Sequence, residues 1–199
     1  MNKPLTLSPT DRTQLRRRAG RAADVAVFDA VLQEALLCHV AVVVDGAPLL
    51  LPTTFVRLDD EVFIHGAVGN FLLRACVDAP VCFTAVVADA LVFAKSAAHH
   101  SMNYRSVVAF GRGRDVVDLG EKALVLAALL EKMKPGRSNE ARPPTEQELV
   151  TVRVVALPLA EASCKMRSGP PVDDEADLAF STWRGTAALR SVVDDVVTC

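Results

Sequence analysis

The sequence predicts a mainly β domain with peripheral helices. Hydrophobic residues make up 51% of the 199 residues and aromatic residues only 5%, so valine, leucine and alanine must fill the interior. Valine is β-branched and favours strands. Apolar runs of strand length alternate with turn residues along most of the chain, and no internal repeat or long linker divides it. We therefore expect one β-rich domain with a core of ordinary size.

The first third of the chain predicts a helix followed by three antiparallel strands. Asp24 can cap the helix, whose apolar residues recur at near-helical spacing. Asp45-Gly46 is a strong hairpin signal between two apolar runs, and Asp59-Asp60 is a second polar turn. The predicted elements are a helix over 24–37 and strands over 38–44, 47–58 and 61–65.

The remainder alternates short helices with strands. Pro80 and Pro135-Gly136 end two helical patterns, and Thr145 with Glu148 forms a capping-box pattern. Gly111 and Gly113 mark bends within a strand. The predicted elements are a helix within 69–77, a hairpin of strands 80–87 and 90–95 over Ala88-Asp89, a strand over 104–117, a helix over 120–134, a polar loop over 137–144, a helix from Thr145, strands over 150–159 and 161–167, and an acidic loop before Trp183.

Charge and cysteine content argue against several classes of protein. The formal charge of −2 comes from interspersed acidic and basic residues and implies neither nucleic acid nor a membrane as partner. The run Arg16-Arg17-Arg18 with Arg21 is interpreted as a solvated helix face. Five irregularly spaced cysteines without a C-x-x-C pair predict reduced thiols in a cytoplasm, with Cys38 and Cys82 as buried packing residues.

Common catalytic and metal-binding patterns are absent from the sequence. It contains no G-x-S-x-G and no P-loop, and Gly111-Arg112-Gly113 lies within a strand pattern. His99 and His100 are adjacent, with no cysteine or carboxylate nearby to complete a metal site. These observations argue against a hydrolase, a nucleotide kinase and a metal centre.

Two polar segments are candidate ligand sites. Residues 65–70 join a strand to a helix whose free amides can meet a phosphate, although an ordinary turn that needs glycine explains them too. Residues 99–106 collect many hydrogen-bonding side chains between two apolar strands. Ligand binding and a solvated loop explain this second segment equally well.

Residues 95–108, followed by Phe110-Gly111, closely resemble the pyridoxamine 5'-phosphate oxidase-related flavin-nucleotide-binding family, which includes the nitroimidazole-resistance (Nim) proteins. Further matching motifs run in order from about Leu15 to Gly185. They are His39-Val40, Asp45-Gly46, Pro52-Thr53-Thr54, Phe63-Ile64-His65-Gly66, Pro135-Gly136-Arg137, Gly169-Pro170-Pro171, Asp173-Asp174 and Trp183.

The resemblance implies an FMN-binding split β-barrel over residues 1–199, with an N-terminal helical arm over about 11–37 and a C-terminal tail over about 186–199. It further implies a homodimer with two flavin sites, each built by both subunits, and FAD is the alternative to FMN. The implied cofactor-binding residues are Pro52, Thr53 and Thr54 along the flavin ring, His65, Gly66, Asn70 and Arg74 near the phosphate, Tyr104, Arg105 and Ser106 at the phosphate and ribityl groups, and Trp183 reaching the partner's flavin. As a hypothesis, Lys165 or Arg167 supplies a cation that binds near the ring and stabilises the reduced anionic flavin.

One departure from the family pattern concerns the phosphate. Relatives often carry Arg or Lys near the position of the neutral Asn70, so Arg74 or Arg105 would have to supply the positive charge.

From the flavin that the resemblance implies, we expect an oxidoreductase that passes electrons from NADH or NADPH to a small organic substrate, and the unpaired cysteines predict a cytoplasmic location. His65 is the candidate catalytic residue, and a packing or capping histidine is the alternative. Two other classes stay open. One is a non-catalytic protein that stores or senses flavin, and the other is a haem-binding relative with His65, His99 or His100 as an axial ligand.

Overall fold

The computed structural model describes residues 10–15 and 19–192, so Arg16, Arg17 and Arg18 and the interpretation of their charge lie outside the described residues. The helices are α1 (Val25–Glu34), α2 (Phe71–Cys76), α3 (Leu119–Met133), α4 (Arg137–Glu140) and α5 (Glu146–Thr151). The strands are β1 (Leu37–Val44), β2 (Ala47–Leu58), β3 (Glu61–Ala67), β4 (Pro80–Phe93), β5 (Ser101–Arg112), β6 (Arg114–Asp115), β7 (Val152–Pro158), β8 (Glu161–Arg167) and β9 (Gly185–Ala188).

The strands form one curled antiparallel sheet in the order β6-β7-β3-β2-β1-β4-β5-β8, and β9 pairs with β4. β2 is 12 residues long and turns a corner. Its first part pairs with β1, and its last part pairs with β3. The chain thus bends the sheet at β2 and builds two halves that face each other.

Gly113 closes the curled sheet into a barrel. β5 pairs with β4 and β8, and directly after Gly113 the chain continues as β6, which pairs with β7 at the opposite end of the strand order. The amide of Gly113 donates to the carbonyl of Ala79 at 3.2 Å, and its carbonyl accepts from the amide of Asp78 at 2.8 Å. A Cβ at Gly113 would lie 2.1 Å from the carbonyl oxygen of Cys76, so only glycine fits there.

The two faces of the sheet bury different clusters. The inner face, inside the barrel, packs under α1 and α2 and includes Phe28, Phe55 and Phe83. The rings of Phe55 and Phe83 meet edge to face at 5.1 Å between centroids. On the outer face, α3 packs Val125 and Leu129 over β3 and β7. Burying each such side chain contributes about 1.5–3 kcal/mol, so both faces of the β3 and β7 half are held by packing.

The sheet confirms the predicted mainly β class with peripheral helices and the first three strands. The capping box is also confirmed, because the Glu148 amide donates to Thr145 Oγ1 at 3.2 Å and the Thr145 amide donates to Glu148 Oε2 at 2.7 Å. α1 begins where expected, since Asp24 accepts from the amide of Val27 at 3.0 Å.

The hairpin predicted over Ala88-Asp89 is wrong. β4 runs through these residues without a turn, and a bulge between Ala88 and Ala90 absorbs Asp89. The bulge is held because the Asp89 carboxylate accepts from Arg105 of β5, at 2.7 Å for the shortest contact, and its carbonyl accepts from the amide of Leu189. An aspartate that resembles a turn residue is therefore a bulge residue with a partner on the next strand.

Three further predictions need smaller corrections. The strand expected over 104–117 divides at Gly113 into β5 and β6, because the chain crosses there from one end of the strand order to the other. The polar loop expected over 137–144 contains the short helix α4, which follows Gly136 in the left-handed conformation at φ 86°. Part of the tail expected from about 186 is strand β9, and residues 193–199 lie outside the described residues.

The described cysteines are free thiols, and burial makes three of them poor nucleophiles. Burial raises the pKa of Cys38 to about 12 and those of Cys76 and Cys164 to about 11. Cys82 was expected to be buried like Cys38 but is only half-buried, because it points to the outer face. No helix in the described part of the chain is long and apolar enough to span a bilayer.

We expect Gly113→Ala to destabilise the fold by about 3 kcal/mol or more, because the new methyl group would overlap the Cys76 carbonyl. Urea unfolding measures this change. Gly20→Ala is the matched control, since a Cβ there meets nothing within 4 Å. Equal stability of both variants would show that the barrel does not depend on this close contact.

Candidate functional site

Five polar residues among those expected to bind flavin lie together on one part of the outer face of the sheet. Leu37 of β1 pairs with Thr54, and Ser106 of β5 pairs with Lys165 of β8. Two residues away on β5, Tyr104 lies opposite Arg167. Alternate residues of these strands, such as Val107 and Cys164, are buried in the barrel. The five polar residues on the outer face are Thr54, Tyr104, Ser106, Lys165 and Arg167.

The polar side chains on β5 and β8 contact one another. Ser106 Oγ donates to the carbonyl of Lys165 at 3.4 Å, and the Lys165 ammonium lies 6.0 Å from the centre of the Tyr104 ring. Arg167 donates to the side-chain oxygen of Asn103. This corner of the outer face therefore offers hydroxyl groups and two cations together, which suits an anionic or hydrogen-bonding ligand.

A strip of apolar side chains lies next to this polar corner. Leu37 is 54% exposed and Val86 is 52% exposed, although both belong to strands in the middle of the sheet. Leu50 and Val43 continue the strip toward the Asp45-Gly46 turn, and Pro52 pairs with His39 on the same face. Contiguous exposed apolar residues on a sheet face mark an interaction surface.

Arg105 lies on the opposite face from Tyr104 and Ser106. Its guanidinium donates to both oxygens of Glu34 on α1, at 2.8 Å and 2.7 Å, and also to Asp89. These hydrogen bonds raise the pKa of Arg105 and lower that of Glu34. The structure thus separates a residue that the resemblance grouped with Tyr104 and Ser106, because consecutive strand residues point to opposite faces.

Thr53 is separated from Thr54 in the same way. Thr53 pairs with the buried Cys38, whose thiol donates to the Thr53 carbonyl at 3.4 Å. Of the two threonines, Thr54 is therefore the one on the outer face.

The predicted phosphate segment is a tightly packed turn. The Asn70 side chain caps α2 by accepting from the amide of Leu73 at 3.2 Å. A Cβ at Gly66 would lie 3.1 Å from Leu73 Cδ1 and 3.2 Å from Asn70 Nδ2, so glycine lets α2 approach β3. Arg74 is exposed on α2. These residues lie on β3 and α2, four strand positions from Ser106 on β5.

His65 lies in an apolar cavity of about 300 Å³ on the outer face of β3. Its Nδ1 is buried and has no hydrogen-bond partner. Burial lowers the pKa of His65, so the imidazole is neutral at pH 7. The cavity walls are Leu126, Leu129, Leu130, Met133 and Pro144, with Arg142 and Glu148 at the rim.

The two rim residues form an ion pair. Arg142 donates to both oxygens of Glu148 at 2.8 Å and 3.0 Å. These bonds and the Thr145 amide lower the pKa of Glu148 to about 2, so the carboxylate stays charged. The rim is therefore polar and the interior apolar.

A second cavity of about 300 Å³ adjoins the first. The two share Leu126, Leu130, Arg142 and Pro144 and together form a groove between α3 and the segment that follows it. The sequence prediction missed this groove. The sequence feature that could have predicted the groove is the wide apolar surface of α3. Packing on the sheet needs only one face of the helix, yet α3 also carries Leu124 and Met133, which stay exposed.

Trp183 packs against Phe93 with its ring tilted by 59° and 5.1 Å between ring centroids, and it is 68% exposed. Its segment is held because Asp173 accepts from the Lys95 amide at 2.7 Å and pairs with Arg184 at 3.0 Å. Trp183 therefore lies by the end of β4.

The sheet closes into a barrel, and α3 covers only the β3 and β7 part of its outer face. This architecture is that of the split-barrel class. A family model described as pyridoxamine 5'-phosphate oxidase matches residues 24–166. The chain belongs to that family.

Two solved structures resemble the chain over nearly all of its length. The flavocytochrome Anf3 from Azotobacter vinelandii is 36% identical, with a TM-score of 0.89, over 97% of this chain and 91% of that one. The FAD and haem binding protein from Mycobacterium smegmatis is 32% identical, with a TM-score of 0.82, over 94% of this chain and 88% of that one.

A nitroimidazole antibiotic resistance protein from Bacteroides thetaiotaomicron shares the fold at 18% identity, with a TM-score of 0.60, over 72% of this chain and 84% of that one. No curated protein sequence matches the chain.

We expect His65→Gln to reduce the acid sensitivity of the cofactor-free protein. The folded pKa of His65 lies below its unfolded value of about 6.5, so the unfolded chain takes up this proton at a higher pH than the folded protein does. The wild-type protein therefore loses free energy of unfolding as the pH falls. The variant has no imidazole at this position and should lose less. Urea unfolding at several pH values between 7.5 and 5 measures it, and identical pH profiles for both proteins would contradict the buried, neutral state of His65.

Proposed function

We propose that this protein is an electron-transfer oxidoreductase that binds a flavin on the outer face of its barrel and a haem in the groove beside His65. Two relatives above 30% identity, each resembling nearly the whole chain, are described as a flavocytochrome and as a binding protein for FAD and haem. The observation that carries the haem part is the buried, unpartnered nitrogen of His65 in an apolar cavity.

The outer-face residues fit a flavin. Thr54, Tyr104 and Ser106 present hydroxyl groups on one face, and Lys165 and Arg167 add positive charge for a phosphate or for a reduced ring. Bound flavin supplies hydride and single-electron transfer. The resemblance implied FMN, but we favour FAD because the relative from Mycobacterium smegmatis is described as binding FAD.

Arg105 takes a positioning role in this proposal. Its guanidinium is already bound by Glu34 and Asp89, so moving it to a phosphate would leave two carboxylates without their partner. It instead fixes α1 and the bulge of β4 behind the strand that carries Tyr104 and Ser106. The neutral Asn70 caps α2, so Lys165 and Arg167 are the cations we assign to the flavin.

The groove beside His65 fits a haem. A neutral imidazole is the usual protein ligand of haem iron, and haem needs apolar walls such as Leu126, Leu129 and Leu130. Arg142 at the rim suits a propionate, provided that it exchanges its contact with Glu148. The other two candidate ligands lie elsewhere, since His99 faces Asp174 and Asp177 and His100 packs against Phe93.

A second copy of the chain is the proposed cover of the apolar strip formed by Leu37, Val43, Leu50 and Val86. A soluble monomer rarely exposes such a strip, and pairing two copies through it would bury both at once. The polar corner with Tyr104 and Ser106 borders this strip, so a flavin there would contact both protomers. Trp183 would then reach the partner's flavin, as the resemblance implies.

Electron transfer distinguishes this function from flavin storage or sensing. A nicotinamide donor and a small organic acceptor remain part of the proposal, with His65 as a haem ligand in place of a catalytic acid or base.

The test is the visible spectrum of the purified protein with FAD and haemin, followed by anaerobic NADH or NADPH. We expect uptake of both cofactors, bleaching of the flavin and reduction of the haem. His65→Ala should keep flavin uptake and weaken haem binding at least about tenfold, because the iron loses its ligand. His100→Ala is the matched control and should bind both.

The outcomes separate the parts of the proposal. Unchanged haem affinity in His65→Ala would reject the haem site, while flavin uptake without reduction by either donor would favour storage or sensing. Extraction of the bound flavin by heat identifies it as FAD or FMN.

A further inference from the structure

His99, Asp174 and Asp177 come together far from the groove and from the outer-face strip. His99 ends the 3₁₀ helix Ala97–His99 that precedes β5, and the two aspartates belong to the 3₁₀ helix Glu175–Ala179 and its N-cap. His99 Nε2 lies 3.8 Å from Asp174 Oδ2, and His99 Nδ1 lies 3.8 Å from Asp177 Oδ2. One donor atom from each residue lies within 4.8 Å of the others.

The histidine in this cluster has an unsatisfied ring nitrogen. His99 Nδ1 is buried from solvent and has no hydrogen-bond partner, since 3.8 Å is too long for a hydrogen bond to Asp177. A buried polar atom without a partner is costly unless a ligand satisfies it.

Asp174 occupies the N-cap position of its 3₁₀ helix but makes no side-chain capping bond. The Asp174 carboxylate thus does not accept a hydrogen bond from the helix amides, as an N-cap aspartate usually does. It faces the imidazole of His99 instead.

We propose that His99, Asp174 and Asp177 bind one divalent transition-metal ion of the Zn²⁺ type, with water completing its coordination. Zn²⁺ bonds to imidazole nitrogen and carboxylate oxygen at about 2.0–2.2 Å, which places tetrahedral ligands about 3.4 Å apart. One ion can bond only one ring nitrogen of His99, and with one nitrogen as the ligand the three donor atoms lie within 4.8 Å of one another. The carboxylates must therefore move inward by roughly 1 Å to reach the tetrahedral spacing. Two carboxylates also balance the charge of the ion.

The donor set favours a transition metal over Ca²⁺ or Mg²⁺. Those two cations prefer six or more oxygen ligands, whereas imidazole suits Zn²⁺. Three protein ligands match the ligand number of zinc sites that keep one position for water.

The metal would lock the segment that carries Trp183. This segment is already held on both sides of the 3₁₀ helix Ala97–His99, because Asn103 donates to the carbonyl of Gly169 at 3.0 Å and the Lys95 amide donates to Asp173 at 2.7 Å. An ion between His99 and the two aspartates adds a further link. The position of Trp183 on Phe93 would then depend on metal, independently of whether flavin or haem is bound.

Titration of Zn²⁺ into the chelator-treated full chain, followed by calorimetry, tests the site. We expect one high-affinity Zn²⁺ per chain and at least about tenfold weaker binding by His99→Ala and by Asp177→Asn, since each removes a ligand. His100→Ala and Glu175→Gln are matched controls that change neighbouring residues of the same type and should bind as the wild type does. Trp183 is the single tryptophan, so its emission should respond to Zn²⁺ in the wild type and controls but not in the ligand variants.

Three results would overturn the proposal. The first is that the wild type does not bind Zn²⁺. The second is that the wild type and both ligand variants bind Zn²⁺ with equal affinity, which would place the metal elsewhere, for instance at a thiol. The third is that the wild type binds Ca²⁺ as tightly as Zn²⁺. Melting temperatures without metal show whether each variant folds. If His99→Ala does not fold, the comparison of Asp177→Asn with Glu175→Gln decides the outcome.

Discussion

The close approach of Gly113 to the carbonyl of Cys76 allows the chain to leave one half of the sheet and join the other, and the barrel depends on this crossing. Closure gives the sheet an inside, which α1 and α2 fill, and an outside, which α3 covers only over β3 and β7. The outer face of the central strands is left for a ligand or a partner. The open half of the outer face is thus a consequence of how the barrel closes.

Strand alternation then decides which polar residues can act together. Thr54, Tyr104 and Ser106 face outward, while Thr53 and Arg105 face inward. The inward arginine holds Glu34 and Asp89, so it supports the strand behind the site. His65 is on the outer face but under α3, where burial keeps its imidazole neutral. One sheet thereby supplies two different environments, a polar corner beside an apolar strip and a covered apolar groove.

Local signals predicted much of the fold, because helix caps and two-residue turns depend on neighbours in sequence. Asp24, Asp45-Gly46 and Thr145 belong to this group, and the family resemblance supplied the barrel. The errors share a physical origin in distant contacts. Asp89 resembles a turn residue until Arg105 of the next strand binds it, and His99 lacks a carboxylate neighbour until the chain returns with Asp174 and Asp177. The groove beside His65 likewise needs α3 to fold back over β3.

The central claim is that flavin and the second protomer meet on the outer face of the barrel. A crystal structure of the flavin-loaded protein tests it most directly. We expect flavin within hydrogen-bond distance of Tyr104 or Ser106, with two protomers packed through Leu37 and Val86. A flavin bound by Arg105 on the inner face, or a flavin-loaded monomer whose apolar strip faces solvent, would contradict it.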